Sequence, residues 1–204
     1  MHFDPEEHHR RSVRKLGYDY SSAGAYFVTI CTQGKSCLLG QIHEATVHLS
    51  HTGRIVKKCW DTLPAWFPYV RLDAFVIMPT HLHGIIWIIG RGEASVSEDL
   101  ICCEPADLSY EQYASLYTVA DASPLQPACG TKPGSLASVI QTFKANCTRR
   151  VNRVCNHPGR PLWQRNYYEH IIRSQKSLEA IREYIEANPA NWLLDADNPD
   201  NPRS

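Results

Sequence analysis

The chain has 204 residues, 43% of them hydrophobic and 10% aromatic, enough for one well-buried domain with room for one large insertion. No window holds the ~20 apolar residues of a membrane helix, and the charged N-terminus "MHFDPEEHHRRSVRKLGYDY" lacks the apolar centre of a signal peptide, so a cytoplasmic protein is expected. The formal net charge of zero hides a segregation. Residues 91–133 hold seven acidic residues against Arg91 and Lys132, whereas Gly134 to Tyr168 contain no Asp or Glu and carry Lys144, Arg149, Arg150, Arg153, Arg160 and Arg165. Such a one-sign track attracts polyanions, although a solvated helix face would read the same way.

In chain order, residues 1–20 form a basic arm. "GAYFVTICT", Gly24 to Thr32, is β-branched and aromatic and predicts a buried strand. "SCLLG" and "ATVHLS" flank a polar turn and predict a hairpin. From Ser50 to Leu63 the period becomes helical, with Ile55, Cys59 and Leu63 at fourfold spacing, and Pro64 stops the helix. "VRLDAFVIM" and "HLHGIIWII" are separated only by Pro79 and Thr80 and predict a tight antiparallel pair. Residues 91–133 lack periodicity apart from "DLSYEQYASLY" and read as an insertion in a surface loop. "GSLASVIQTFKANCTRRVNRV" is an amphipathic helix with the stripe Leu136, Val139, Ile140, Phe143, Cys147 and Val151. "YYEHIIR" predicts a short strand, and Ser174 caps a last helix through Asn188 that Pro189 ends. In the turn-rich tail 191–204, only Trp192, Leu193 and Leu194 offer apolar anchors. Helices returning over an antiparallel sheet give an α+β fold of ferredoxin-like type.

The eight cysteines include no C-x-x-C pair. Cys31, Cys59 and Cys147 sit in apolar periodic segments, so a zinc knuckle or an oxidised framework is not expected.

Two imidazoles interrupt an apolar run in "VIMPTHLHGIIWIIG". Strand alternation puts His81 and His83 on one face with Ile85 and Trp87. Two histidines are too few for a closed structural zinc site, but with an oxygen donor they make an open divalent-metal site. The plainer alternative is that they only cap the strand after Pro79. In the last helix Leu178, Ile181 and Ile185 form the buried stripe. Tyr184 lies beside it, with Asn188 one turn further on the same side. A hydroxyl nucleophile and an amide oxygen at that spacing could address one metal-bound phosphate; core packing and a common helix end are the structural alternatives.

His81-Leu82-His83 after "VIMPT", Tyr184 in "REYIEANP", the entry "GYDYSSAGAYFVTICTQG" and "LWQRNYYEHIIR" together resemble the single-tyrosine HUH transposases. Among these the chain is most similar to the REP-associated tyrosine transposases, over nearly its whole length. The long acidic insertion departs from the shorter members. The resemblance implies an HUH fold in one catalytic domain over residues 21–190, interrupted by the insertion 91–133. It implies His81, His83 and Asn188 as ligands of Mg²⁺ or Mn²⁺, and Tyr184 as the nucleophile. It also implies cutting of single-stranded DNA beside a hairpin, through a 5′-phosphotyrosyl intermediate that conserves the phosphodiester energy. Monomers and homodimers are both compatible with it. His170 in "YEHIIR" would back the site or act as a base, against a purely structural role. Tyr18, Tyr20, Tyr167 and Tyr168 are expected to pack or to stack on bases. Arg10, Arg11, Arg14, Lys15, Lys144, Arg149, Arg150, Arg153, Arg160 and Arg165 are the candidate phosphate contacts. The rival readings are a hairpin-binding protein that does not cut, and a metal phosphoesterase that activates water.

Overall fold

A computed structural model describes residues 18–89, 131–195 and 197–201. The arm residues Arg10, Arg11, Arg14 and Lys15 lie outside the described residues, as does the insertion up to residue 130.

The strands among the described residues are β1 (Gly24–Cys31), β2 (Gly40–His43), β3 (Thr46–Leu49), β4 (Val70–Ile77), β5 (His81–Ile88) and β6 (Tyr168–Ile172). Four of them form the main antiparallel sheet, in the order β4-β5-β1-β6. A separate hairpin joins β2 to β3. Its first strand begins where the sequence pattern predicted an end, because the turn falls on Glu44 and Ala45 (φ 49° and 59°). Two left-handed residues give the tight twist that suits a short hairpin.

Among the described residues three longer helices accompany the sheet: α1 (His51–Asp61), α2 (Leu136–Cys155) and α3 (Gln175–Ala187). Each begins on a serine whose hydroxyl accepts a backbone N–H in the first turn: Ser50 from Gly53, Ser135 from Ser138, Ser174 from Ser177. These caps satisfy donors that a helix start would otherwise leave open. Pro64 does not terminate α1 directly. It sits in the first turn of a separate short helical segment, Leu63–Trp66, where its missing N–H costs nothing.

The sheet buries both faces, and strand alternation sorts the residues between them. Tyr26, Val28, Ile30, Leu82, Ile86 and Ile88 face α1 and α2 in the larger core. Ala25, Phe27 and Ile85 face α3, whose Leu178 and Ile185 cover them. Gly84 lets the larger core close on the sheet: a Cβ there would lie 2.5 Å from the Trp60 ring. That ring stacks on Phe75 at 4.5 Å. The α+β class and the antiparallel sheet agree with the sequence reading. The addition is that, among the described residues, α3 covers one face of the sheet and α1 and α2 the other.

A register shift between Leu72 and Phe75 on β4 re-aims the chain at Asp73, as bulges do. Asp73 accepts hydrogen bonds from Trp87 Nε1 at 2.9 Å and from Arg182 Nε and an Arg182 terminal nitrogen at 2.9 and 2.6 Å. This forked ion pair ties α3 to its own sheet two residues before Tyr184. Burial raises the Asp73 pKa, but the hydrogen bonds from Arg182, Trp87 and the Ala74 amide, together with the Arg182 charge, outweigh it and hold the carboxyl below its usual range.

Candidate active site

The site lies at the end of the sheet where β1 finishes and β5 starts. Cys31 pairs with His81 and Thr29 with His83, so both imidazoles enter the α3 face. Both are buried (0% and 4% exposed). Their Nε2 atoms converge to 3.0 Å, the edge that two ligands at right angles span around an ion with bonds of about 2.1 Å.

The remaining ring nitrogens are held by threonines. Thr80 gives its one hydroxyl proton to the carbonyl of Asp197 (2.9 Å), so its oxygen must accept from His81 Nδ1, 3.1 Å away. His81 thereby carries its proton on Nδ1 and presents a bare Nε2. Thr29 Oγ1 lies 2.8 Å from His83 Nδ1 and fixes that ring. Burial depresses both pKa values, to about 4 for His81 and about 3 for His83, the latter also through the His81 charge. Neutral imidazole is the form that ligates metal.

Oxygen donors complete the cluster. The carboxylate of Asp195 lies 3.7 Å from His81 Nε2. One ligand atom from each of His81, His83 and Asp195 falls within 4.8 Å of the others. Asn188, one turn after Tyr184 at the end of α3, is 4% exposed, and its Oδ1 is buried without a hydrogen-bond partner. A buried carbonyl oxygen with nothing to accept is costly. A cation beside it would satisfy it. The two imidazole nitrogens and the Asp195 carboxylate fit a divalent ion.

Tyr184 is half exposed at this cluster, its hydroxyl 3.4 Å from His83 Nε2. Its ring makes edge contacts with His83 and Phe27 at 5.2 and 6.1 Å. Burial raises the phenol pKa and the Asp195 and Asp197 charges add to the rise, while a hydrogen bond with Asn188 opposes them.

The structure thus brings His81, His83, Tyr184 and Asn188 together. It leaves His170 exposed on the edge strand β6, in register with Phe27. The sequence reading missed Asp195 and Asp197. The tail carrying them is fastened mainly by polar groups, not by the expected apolar anchors: Leu193 and Leu194 are 77% and 73% exposed, whereas Asn198 and Asn201 are buried. Asn198 Nδ2 donates to Trp192 O, Asn201 Nδ2 to Asp195 O, and the Asp197 amide to Asp195 Oδ1. Lys35 pairs with Asp197 at 2.9 Å. The acidic, asparagine-rich run "DADNPDN" was the one available signal.

The basic track divides. Lys144 departs from the expected outward role: its ammonium donates to the carbonyls of Gln164, Arg165 and Asn166 at 2.5, 3.0 and 3.3 Å. Burial lowers its pKa to about 8. The loop it holds joins the site end of the sheet through Gln164 N to Cys31 O and Gln33 N to Leu162 O. Arg149 donates to Asn146 Oδ1 on α2. Arg150 stands over Trp66, 5.6 Å from the ring centre. Arg153, Arg160 and Arg165 are exposed.

No protein-family model matches the chain. An uncharacterized protein of Haemophilus influenzae (strain ATCC 51907 / DSM 11121 / KW20 / Rd) is 42% identical over 188 residues, 92% of each chain. The chain belongs to that protein's family. A solved structure of a REP-associated tyrosine transposase bound to a REP hairpin covers 87% of this chain and 73% of its own, with a TM-score of 0.51 and 17% identity. At that identity the likeness is one of fold: the α+β fold of this chain matches that of the transposase. No described helix is long and apolar enough to cross a membrane.

Proposed function

We propose that this chain is a divalent-metal-dependent single-stranded DNA endonuclease and strand transferase, using Tyr184 as nucleophile beside a REP-type hairpin. The observation that carries this reading is the Tyr184 hydroxyl, 3.4 Å from an imidazole nitrogen that itself converges on a second one. His81, His83 and Asp195, with Asn188, would hold the ion, Mg²⁺ in the cell or Mn²⁺, which when bound would polarise the phosphate and offset the charge that develops there. The Tyr184 oxygen attacks phosphorus, the bond to the 3′-oxygen breaks, the phenol proton passes to solvent, and the leaving 3′-oxygen takes a proton from solvent. The products are a 5′-phosphotyrosine and a free 3′-hydroxyl. Attack by another 3′-hydroxyl reverses the step and rejoins strands without ATP.

The substrate class follows from charge and from the hairpin-bound transposase of like fold. The arginines of α2 and of the loop that Lys144 clamps form the surface for a hairpin stem, and the charge of Arg10, Arg11, Arg14 and Lys15 suits further phosphate contacts. The single-stranded flank runs to the α3 face. Nucleoid DNA in the cytoplasm is the natural target.

Incubation with a hairpin-flanked single strand and Mg²⁺ tests the reading. A protein–DNA product that survives denaturant is expected. Free cleaved DNA without an adduct would point to water activation, and binding without cleavage to a recognition module; either would overturn it.

A further inference from the structure

A row of aromatic rings leads from the sheet edge into the site. Tyr168 opens β6, in register with Thr29, and is 48% exposed. Its ring stands edge-on to Phe27 at 6.3 Å, and Phe27 stacks on His83 at 5.4 Å. Tyr168 therefore shares the α3 face with the nucleophile, one strand over. It borders an open depression of about 430 Å³, lined also by Tyr20, Glu169 and Ile171 and continued by His170, Arg173, Ser174 and Ser177. Exposed cations flank it: Arg165 precedes β6, and Arg173 and Lys176 follow it. Glu169, the carboxylate-bearing residue of this strand, is buried and alternates to the face opposite Tyr168 and His170.

An exposed ring beside a nucleophile, with cations on either side, suits one ligand. Its π-face takes a base and its neighbours take the sugar-phosphate chain. We propose that Tyr168 is the stacking platform for an unpaired nucleobase next to the scissile phosphate, and so positions the single strand for attack by Tyr184. The proposal rests on the function given above and deepens it. Stacking needs the ring and not the hydroxyl, so Tyr168→Phe keeps the platform while Tyr168→Ala removes it.

The test uses full-length protein carrying Tyr184→Phe, so that binding is read without cleavage. The DNA is a hairpin whose single-stranded flank carries 2-aminopurine at one position at a time. One position is expected to be quenched, with Tyr168→Ala abolishing the quenching and Tyr168→Phe retaining it. Affinity for the flanked hairpin should fall about tenfold in Tyr168→Ala, with no change for a blunt hairpin. Removing that base from the flank should erase the difference in affinity that Tyr168→Ala makes. Unchanged quenching and affinity in Tyr168→Ala would overturn the proposal, as would an equal loss on the blunt hairpin, which marks a folding role. Adduct formation by protein retaining Tyr184 reports separately on the catalytic reading. An adduct with no effect of Tyr168→Ala sinks only the platform; position-specific quenching without an adduct sinks only the chemistry.

Discussion

The hydroxyl of Tyr184 lies 3.4 Å from Nε2 of His83, although 101 positions separate the two residues. Sheet and helix produce this contact together. β5 aims His83 at the face that α3 covers, and the Asp73–Arg182 ion pair holds α3 there. If the contact is catalytic, Tyr184→Phe abolishes the denaturant-stable DNA adduct and leaves hairpin affinity within about twofold, since one hydroxyl adds little to a binding surface dominated by phosphate contacts. Tyr168→Phe still forms the adduct. Gel analysis of denatured reaction mixtures distinguishes the two.

Metal affinity should follow the donor set. His81→Ala is expected to weaken Mn²⁺ binding by on the order of a hundredfold or more, and Asp195→Asn or Asn188→Ala by on the order of tenfold. Thr80→Val, which removes the acceptor that fixes His81 with its proton on Nδ1, belongs in the tenfold class. Titration calorimetry or the Mn²⁺ paramagnetic resonance signal reads each value.

The Asp73–Arg182 pair should stabilise the protein in a pH-dependent way. The folded pKa of Asp73 is depressed. Its contribution is therefore complete above the unfolded value of about 4 and is lost as the pH falls through the folded value. Asp73→Asn should cost about 1–2 kcal/mol, the low part of the range for charged hydrogen bonds because both groups keep some solvent. The gap in melting temperature from the parent protein should be constant between about pH 5 and 8 and should close in acid. It should be accompanied by slower adduct formation, because α3 carries the nucleophile.

Salt should separate the two kinds of basic residue. Arg150→Gln and Arg165→Gln are each expected to lower the slope of log affinity against log salt by about 1 for a hairpin. Lys144→Met should leave the slope unchanged and lower stability by about 2 kcal/mol, because it strips three carbonyls of their donor. Binding isotherms at several salt concentrations, paired with thermal melts, check both.

Local pattern carried most of the fold. Alternation in "HLHGIIWII" oriented both histidines, the serines before α1 and α3 marked their starts, and fourfold spacing put Tyr184 and Asn188 on one side of α3. What the pattern did not carry depends on long-range placement. Asp195 sits in a turn-rich tail whose composition reads as solvated; asparagine hydrogen bonds shape its turns, and the Thr80 and Lys35 contacts to Asp197 bring it to His81. Lys144 sits in a run of cations, and charge says nothing about whether a long side chain points out or reaches a neighbouring loop. The segregation of α3 from the other helices follows from chain crossing, which periodicity does not encode.

The most direct measurement is the anomalous diffraction of crystals soaked in Mn²⁺. A peak between the Nε2 atoms of His81 and His83, within bonding distance of Asp195 and of Asn188 Oδ1 and facing the Tyr184 hydroxyl, is the predicted result. Full manganese occupancy elsewhere on the chain, with the two imidazoles bonded only to each other, would contradict it.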